Sequence, residues 1–574
     1  MIFAIILSIA VLLGWQFLVA PHLPHPAPPP APAATEHAAP PRPPEAPGAE
    51  GPQAEKAVAA AAVPRIPISA PRVEGSISLQ GGRIDDLVLR DYHEAVEPAS
   101  PLVRLLEPAQ GKQPYFVQFG WSAAPGTTTR LPDSQTAWTA EGARLTAGAP
   151  VTLLWNNGEG LVFSVRIAVD ENYMFRITQS VRNDSGKPVS LYPWSRISRD
   201  YTPVTENYYI LHEGLLGVLN GRLQETTYSK AKSEGEGHDG IAFRAESEGG
   251  WAGITDKYWL VSLVPDQKTR AITTFRAVKT PQGEGYQVAM VDAAPQEIAP
   301  GSTGELVSRV FAGAKEVRLL DRYEQEYQIP NFDKAVDFGW FYFLTKPIFY
   351  ALDWLNGMLG NFGVAILVFT VFIKALFFPL ANRSYRSMSK MRLLGPKIQA
   401  LRERYKDDPS RQQSEMMALY RAEKVNPASG CLPMLVQIPV FFSLYKVIFV
   451  TIEMRHAPFF GWIHDLSAVD PTNVFNLFGL LPYDPTAISP MLHLGLWPII
   501  MGGTMWLQQR LNPAPPDPVQ ARMFQFMPLI FTFMLARFPA GLVIYWSWNN
   551  MLTVLQQWFI MRRTRNATPR MAGT

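Results

Sequence analysis

The sequence has almost no cysteine: among 574 residues, Cys431 is the single one. One cysteine excludes an internal disulfide and any metal site built from several thiolates. The chain also lacks the GxxxxGK[ST], HExxH and GxSxG motifs. It therefore has no signature of a nucleotide motor, a zinc protease or a serine hydrolase. We expect no enzymatic activity, no cofactor and no metal.

The chain also has no strong excess of charge, with 52 basic and 49 acidic residues. This balance argues against nucleic-acid recognition. The two parts differ, however: residues 1–330 carry a net charge of −7 and residues 331–574 a net charge of +10. Most of the long apolar runs lie in the basic part. The pattern predicts an acidic soluble domain joined to a basic polytopic membrane domain.

The N-terminal region contains two segments that cannot form a globular domain. Residues 1–20 hold an uncharged apolar run that is long enough for one membrane span. We interpret it as an anchor; the alternative is a cleaved signal peptide, which Pro21 after the best cleavage site disfavours. Residues 21–71 are rich in Pro, Ala, Glu and Gly. They predict a semi-rigid, disordered linker.

Short β-rich segments follow in residues 72–327, separated by turn signals such as Gly81-Gly82. Leu161–Val169 alternates apolar and polar residues, as a half-buried strand does. Many such strands without long helices between them predict an antiparallel β-sandwich. A helix is predicted at 314–327.

The basic part predicts a helical membrane domain. Residues 337–356 carry rings with polar tips, which favour the headgroup level, so we expect an interfacial amphipathic helix there. A bundle at 360–562 follows. Its five spans are predicted at about 360–380, 431–450, 492–508, 523–538 and 540–560. The anchor makes six spans, so the fold class is a polytopic α-helical membrane protein with a β-sandwich domain.

Basic residues predict the orientation of these spans. The loop at 381–430 contains eleven of them, and the tail at 563–574 is basic as well, whereas the loop at 451–491 contains only Arg455. Basic loops stay in the cytoplasm. Both termini are therefore predicted to be cytoplasmic and the β domain to lie outside.

The basic loop itself predicts a helical hairpin at 384–424. Met391, Leu394 and Ile398 recur at helical spacing, and Asp408-Pro409 begins a second helix. Mutual packing of the two helices is the simpler interpretation of the apolar stripe. Contact of the basic faces with anionic lipid is also open.

Lys374 is the residue that most suggests function, because it lies inside an apolar span. Such a charge normally faces water or a partner. Snorkelling to the headgroups is an equal alternative, since the lysine stem is long. Thr370 lies one turn earlier on the same face, which favours a polar stripe.

Further polar residues in the spans suggest a wet cavity within the bundle, with hydrogen bonds between helices as the alternative. They are Gln437, Ser443, Gln508, Gln525, Thr532, Ser547, Asn549, Asn550 and Gln556.

Three longer segments of the sequence resemble one protein family. NPASGCLPMLVQIPVFFSLY at 426–445, WIHDLSAVDP at 462–471 and FMPLIFTFMLARFPAGLVIYW at 526–546 are similar to the signatures of YidC-type membrane protein insertases, relatives of the Oxa and Alb insertases. The resemblance covers nearly all of 337–562. The preceding domain resembles the periplasmic domain of Gram-negative members.

The resemblance implies a five-helix bundle around a hydrophilic groove, open to the cytoplasm and to lipid. Lys374 stands where most members carry arginine, and Trp546 stands where a second tyrosine is usual. The groove residues that it implies are Lys374, Thr370, Gln437, Pro439, Tyr545 and Trp546.

The implied function is the insertion and folding of small or single-span proteins in the bacterial inner membrane. The implied partners are nascent membrane proteins, the lipid bilayer, the Sec translocon, and ribosomes or targeting factors at the hairpin; a monomer is expected. Two alternatives are a membrane-anchored scaffold that presents a ligand-binding β-sandwich, and a solute transporter.

Overall fold

The structure is a computed structural model. The predicted anchor, the linker up to residue 62 and the end of the basic tail lie outside the residues that it describes. Described are residues 63–97, 99–205, 211–281, 283–406, 408–423, 425, 432–489, 492–511 and 518–567.

The first part of the described chain is built from strands. They are β1 (Arg65–Ser69), β2 (Val73–Ser78), β3 (Arg83–His93), β4 (Leu102–Leu106), β5 (Tyr115–Ala123), β6 (Thr139–Glu141), β7 (Val151–Asn156), β8 (Leu161–Val169), β9 (Met174–Asn183), β10 (Val189–Arg199), β11 (Gly214–Leu219), β12 (Arg222–Thr227), β13 (Ile241–Glu248), β14 (Trp251–Thr255), β15 (Trp259–Val264), β16 (Arg270–Thr280), β17 (Gly283–Asp292), β18 (Gln296–Ile298) and β19 (Thr303–Ala314).

These strands form two sheets. The ten-stranded sheet has the order β1-β2-β3-β5-β10-β17-β16-β13, with β4 beside β3 and β18 beside β10. The nine-stranded sheet has the order β12-β11-β14-β15-β19-β9-β8-β7-β6. Neighbouring strands pair antiparallel, as in β8 with β9 and β10 with β17.

Alternating side chains bring the sheets together. Leu161, Phe163 and Val165 of β8 are buried, whereas the residues between them are only partly so. They share one apolar core with Val117 and Ile197 of the other sheet. Burial of one face of each sheet against the other is the packing of a β-sandwich. The predicted β-sandwich is confirmed.

The predicted boundary between linker and β domain at residue 72 is wrong, because β1 lies within the predicted linker. Ile66 and Ile68 alternate with Arg65, Pro67 and Ser69, but the prolines of this stretch resemble the composition of the linker. Pro67 lies in β1, at the edge of the sheet. An edge strand tolerates proline because one row of its N–H groups needs no partner.

The second part of the described chain is helical. The helices are α1 (Tyr228–Gly235), α2 (Val317–Glu326), α3 (Tyr342–Leu359), α4 (Phe362–Leu376), α5 (Phe378–Leu393), α6 (Gly395–Arg404), α7 (Pro409–Ala422), α8 (Leu432–Val450), α9 (Leu496–Leu511), α10 (Pro518–Leu535) and α11 (Ala540–Ala567), with short 3₁₀ turns at Phe332–Ala335, Ile452–Met454, Val474–Gly479 and Pro485–Ala487. Helix α1 belongs to the β domain and is not predicted by the sequence pattern.

No single helix among the described residues is both long and apolar enough to cross a membrane by itself. One pair, Phe362–Leu376 with Phe378–Met388, meets the requirement together and is bent by 65°. The predicted span at 360–380 is therefore not one straight helix. Pro379 explains the break, since proline is accepted in the first turn of α5 but not inside a continuing helix.

Helix α3 begins at Tyr342 rather than at residue 337 and is tied to the end of the β domain. Lys346 Nζ donates a hydrogen bond to Asp321 Oδ1 of α2 at 2.9 Å and pairs with Asp333 as well. Tyr350 also donates to Asp321. These contacts fix α3 against α2, at the junction of the sheets and the helices.

Helices α6 and α7 lie within the region predicted as a hairpin, 384–424, and pack against each other. Leu394, Ile398 and Tyr420 are buried together with Val425, and Lys397 Nζ lies 2.7 Å from Glu423 Oε1. This packing is the mutual contact that the apolar stripe predicts.

Candidate functional site

A narrow recess lies between three helices of the bundle; its walls stand close together, and the empty space of about 170 Å³ beside them includes space that is open to the surroundings. We call it the Lys374 recess. Helix α4 contributes one wall, α8 a second and α11 a third. The lining residues are Phe369, Thr370, Ile373, Lys374, Gln437, Val440, Leu444, Tyr545 and Asn549.

Lys374 points toward helix α11. Its Nζ donates a hydrogen bond to Thr553 Oγ1 at 2.8 Å, and the Thr553 hydroxyl donates to the Asn549 carbonyl at 2.7 Å. Within the described part of the chain, Lys374 forms no ion pair. The recess thus holds a cation that is hydrogen-bonded to a neutral hydroxyl. Because the side chain points toward α11, the structure favours an inward-facing lysine over one that snorkels to the headgroups.

A second polar contact crosses the recess. Gln437 Nε2 of α8 donates to the Tyr545 hydroxyl of α11 at 2.5 Å. Tyr545 is 2% exposed, so its phenol is held inside the bundle. The pair leaves the Gln437 carbonyl oxygen and the remaining N–H as groups that can meet a polar ligand.

Thr370 is buried, and its hydroxyl is used locally. Thr370 Oγ1 donates to the Ile366 carbonyl at 2.6 Å, one turn back in the same helix. Such back-bonding satisfies a hydroxyl within an apolar helix. Thr370 therefore lines the recess mainly through its methyl group and its remaining lone pair.

Two of the predicted site residues do not line the recess. Trp546 packs against Phe441 and Phe531, with ring centroids 4.7 and 6.0 Å away. Successive residues of a helix point about 100° apart, so Trp546 and Tyr545 cannot face the same wall. Pro439 lies inside α8, two residues after Gln437, and does not line the recess either.

Thr553 is the site residue that the sequence analysis misses. It lies four residues after Asn549 and eight after Tyr545, which places all three on one face of α11. That spacing is the signal by which it could be found. A threonine late in an apolar helix is otherwise unremarkable, because its hydroxyl can bond within its own helix.

The two helices that carry Lys374 and Thr553 are joined a second time. Trp548 Nε1 of α11 donates to the Leu367 carbonyl of α4 at 3.2 Å. Together with the Lys374–Thr553 bond, this contact sets how α4 lies against α11. The position of the ammonium group is therefore defined by the packing of two helices.

The N-terminal end of α11 is connected to the β domain through the loop after α8. Gly541 N donates to the Leu466 carbonyl at 2.9 Å, and Ser467 Oγ lies 3.3 Å from the Tyr258 hydroxyl of the β domain. Arg455 Nη2 donates to the His93 carbonyl at 2.6 Å. The loop thus links the sheets to the helix that carries Tyr545.

The same loop places a carboxyl group at the start of α2. Glu453 Oε1 accepts a hydrogen bond from Val317 N at 3.0 Å, which satisfies an N–H at a helix N-terminus. Its other oxygen, Oε2, is buried without a hydrogen-bond partner. Burial raises the pKa of Glu453 from 4.5 to about 8.

Comparison with known proteins first defines a class. A family model for the YidC periplasmic domain matches residues 65–351, and a model for the 60Kd inner membrane protein matches residues 354–567. These two matches cover the β domain and the helical part. They define an inner membrane protein with a periplasmic domain.

Relatives that are similar over most of their length define the family more closely. A membrane protein insertase YidC of Granulibacter bethesdensis is 60% identical over 570 residues, which is 99% of this chain and 98% of that relative. One of Acidiphilium cryptum is 57% identical over 518 residues, 89% of this chain and 86% of the relative. The chain belongs to the family of YidC membrane protein insertases, as the sequence resemblance predicts.

A crystal structure of an active YidC insertase with its first transmembrane domain resolved aligns over 86% of this chain and 94% of that chain. The TM-score is 0.34 and the identity 17%, a likeness too distant to describe the fold of this protein.

Proposed function

We propose that the protein inserts small or single-span proteins into the bacterial inner membrane by way of the Lys374 recess and without enzymatic chemistry. The observation that carries the proposal is a cation inside the helical bundle that has no ion-pair partner among the described residues. Family membership gives the general activity; the recess is the site that we propose for it.

The energetic problem of insertion lies in the polar tail of the substrate. A substrate helix gains about 0.3–0.6 kcal/mol for each large apolar residue that enters lipid. Each charge of the tail costs about 2.5–3.5 kcal/mol at the centre of the membrane. A polar recess inside the bundle lowers the second cost because it shortens the apolar path.

Lys374 acts on acidic tails. Its ammonium has three N–H donors, so it can bind a carboxylate of the tail while the Thr553 hydroxyl holds it in position. A hydrogen bond with a charged acceptor is roughly twice as strong as one with a neutral acceptor. The membrane potential adds about 2.3 kcal/mol per charge per 100 mV and draws acidic tails outward when the inside is negative.

The proposal includes six spans, cytoplasmic termini and a periplasmic β domain. The supporting observation is the distribution of basic residues, with eleven in the loop at 381–430 and Arg455 alone in the loop at 451–491. The helices α6 and α7 would then receive nascent chains, ribosomes or targeting factors on the cytoplasmic side. Cooperation with the Sec translocon belongs to the same proposal, with the chain as a monomer.

The test is reconstitution of the purified chain into liposomes without nucleotide. A single-span substrate with a short tail is added, and protease protection of the tail is measured. The proposal expects protection well above that of empty liposomes. Folded and correctly oriented protein that gives no protection would contradict autonomous insertion.

Removal of the β domain separates insertion from the scaffold alternative. A variant that lacks residues 65–314 but keeps α2 and α3 should still insert the substrate. A scaffold for the β-sandwich would lose its function with this deletion.

A further inference from the structure

Asn549 has a feature that the proposed function does not use. Its side chain lines the Lys374 recess, and its Oδ1 atom is buried without a hydrogen-bond partner. The neighbouring Asn550, in contrast, donates from Nδ2 to Thr504 Oγ1 at 3.4 Å. A buried amide oxygen without a donor is unfavourable, because it has lost water and gained no replacement. A ligand that brings a donor into the recess would relieve this.

The surroundings of Asn549 determine which ligand fits. Across the recess lies Lys374, which is purely a donor. The Thr553 hydroxyl between them already accepts a hydrogen bond from Lys374 and donates one to the backbone carbonyl of Asn549. The recess therefore presents the ammonium group as a donor and the Asn549 amide oxygen as a buried acceptor without a partner, beside the remaining N–H and the carbonyl oxygen of Gln437. A peptide unit has the complementary pair, a carbonyl and an N–H.

Only one part of a membrane-protein substrate offers unpaired peptide units. A transmembrane helix satisfies its N–H and carbonyl groups internally. The flanking tail is extended while it crosses, so its peptide groups need partners inside the membrane. The apolar residues of the lining, such as Phe369 and Leu444, leave the polar groups of the recess to serve that need.

We propose that Asn549 is a substrate-binding residue that accepts the backbone N–H of an extended tail segment, while Lys374 donates to a nearby carbonyl or acidic side chain. This inference rests on the proposed function and deepens it. The chemical class that it names is the polypeptide backbone, independent of tail sequence. Neutral tails are therefore ligands of the recess as well as acidic ones.

The experiment measures binding and needs no insertion. The full chain is placed in nanodiscs of phosphatidylcholine, whose headgroup has no N–H donor. The probes are a fluorescent, uncharged tail peptide and its twin with N-methylated backbone, which lacks the donors but keeps every side chain. We expect the twin to bind wild-type protein about fivefold more weakly, the size of one lost hydrogen bond.

Variants assign the difference to Asn549. Asn549→Leu keeps the volume and removes the acceptor, so both peptides should bind it equally and about fivefold more weakly than the parent peptide binds wild type. Asn549→Gln keeps the amide and should still distinguish the two. The comparison of the two peptides on wild-type protein remains decisive even if Asn549→Leu does not fold.

Several results would overturn the inference: equal binding of both peptides by wild type, no binding of either, or retained discrimination by folded Asn549→Leu. Loss of peptide binding in phosphatidylethanolamine nanodiscs would assign Asn549 to a lipid ammonium and also overturn it. If the protein binds the parent peptide more tightly than its N-methylated twin but inserts no substrate in liposomes, only the proposed function is contradicted. Full insertion of a substrate with an N-methylated tail would contradict the Asn549 contact alone.

Discussion

At the scale of single residues, the proposed function depends on how Lys374 is held. Helix packing brings its ammonium to the Thr553 hydroxyl at 2.8 Å, and no carboxylate of the described chain neutralises it. A lysine is a compact charge without the planar fork of arginine. The role that we propose for Lys374 in the recess therefore depends on its charge and not on a bidentate geometry.

Charge variants at position 374 test this. Lys374→Arg should retain insertion, because it preserves the charge. Lys374→Glu should reduce insertion of acidic-tailed substrates by about tenfold or more, since like charges repel where attraction is needed. A neutral-tailed substrate is the matched control and should be affected less. Equal activity of wild type, Lys374→Arg and Lys374→Glu on both tails would contradict a role for the charge.

Thr553 should act through Lys374. Thr553→Val removes the hydroxyl at nearly constant volume, and a hydrogen bond to a charged group contributes about 1.5–3 kcal/mol. We expect about tenfold slower insertion of acidic-tailed substrates, with Thr553→Ser close to wild type. In a Lys374→Gln background the Thr553→Val change should have no further effect. A second tenfold loss in that background would show that Thr553 acts independently.

At the scale of elements, the loop after α8 couples the sheets to the helices. Glu453 caps α2, and Arg455 reaches the backbone of the β domain. Arg455, the one basic residue of this loop, thus takes part in a contact between the helical part and the β domain. The same loop meets the first turn of α11 through Gly541, so the β domain stabilises the N-terminal end of a helix that lines the Lys374 recess.

The buried carboxyl predicts a pH dependence of stability. Because the pKa of Glu453 is raised from 4.5 to about 8 in the folded protein, the folded state binds more protons than the unfolded state in that window. Stability therefore falls as pH rises from about 4.5 to about 8. Glu453→Gln, a mimic of the protonated form, should remove this dependence, which at about 1.4 kcal/mol per unit of pKa amounts to several kcal/mol.

Thermal unfolding at several pH values measures the effect, with exposed Glu141→Gln as the matched control. The control should keep the wild-type slope. An unchanged slope in Glu453→Gln would show that this carboxyl is not the cause.

Sequence patterns predict some elements of the fold and miss others, for physical reasons. Strand β8 is predicted at its observed bounds because alternation is strong there. Strand β1 is missed because Pro67 resembles a linker, although an edge strand accepts it. The contact between Lys374 and Thr553 joins residues 179 positions apart. No local pattern reports such a pair, since it depends on how α4 and α11 pack.

At the scale of the whole molecule, two layers of sheet and a helical bundle are joined by α2, α3 and the loop after α8. The family assignment covers both parts. Four polar groups of the bundle line one recess, where a cation, a phenol and two amides face a small space. This arrangement suits the proposed contact with a polar tail.

The most direct measurement is a crosslink between an arrested single-span substrate and the recess. In a Cys431→Ser background, a cysteine at Thr370, which lines the recess, is compared with one at Phe372, which is 63% exposed on the same helix. The account predicts substrate crosslinks at position 370 and labelling by a lipid probe at 372. Lipid labelling at both positions, with no substrate crosslink at 370, would contradict insertion through the Lys374 recess.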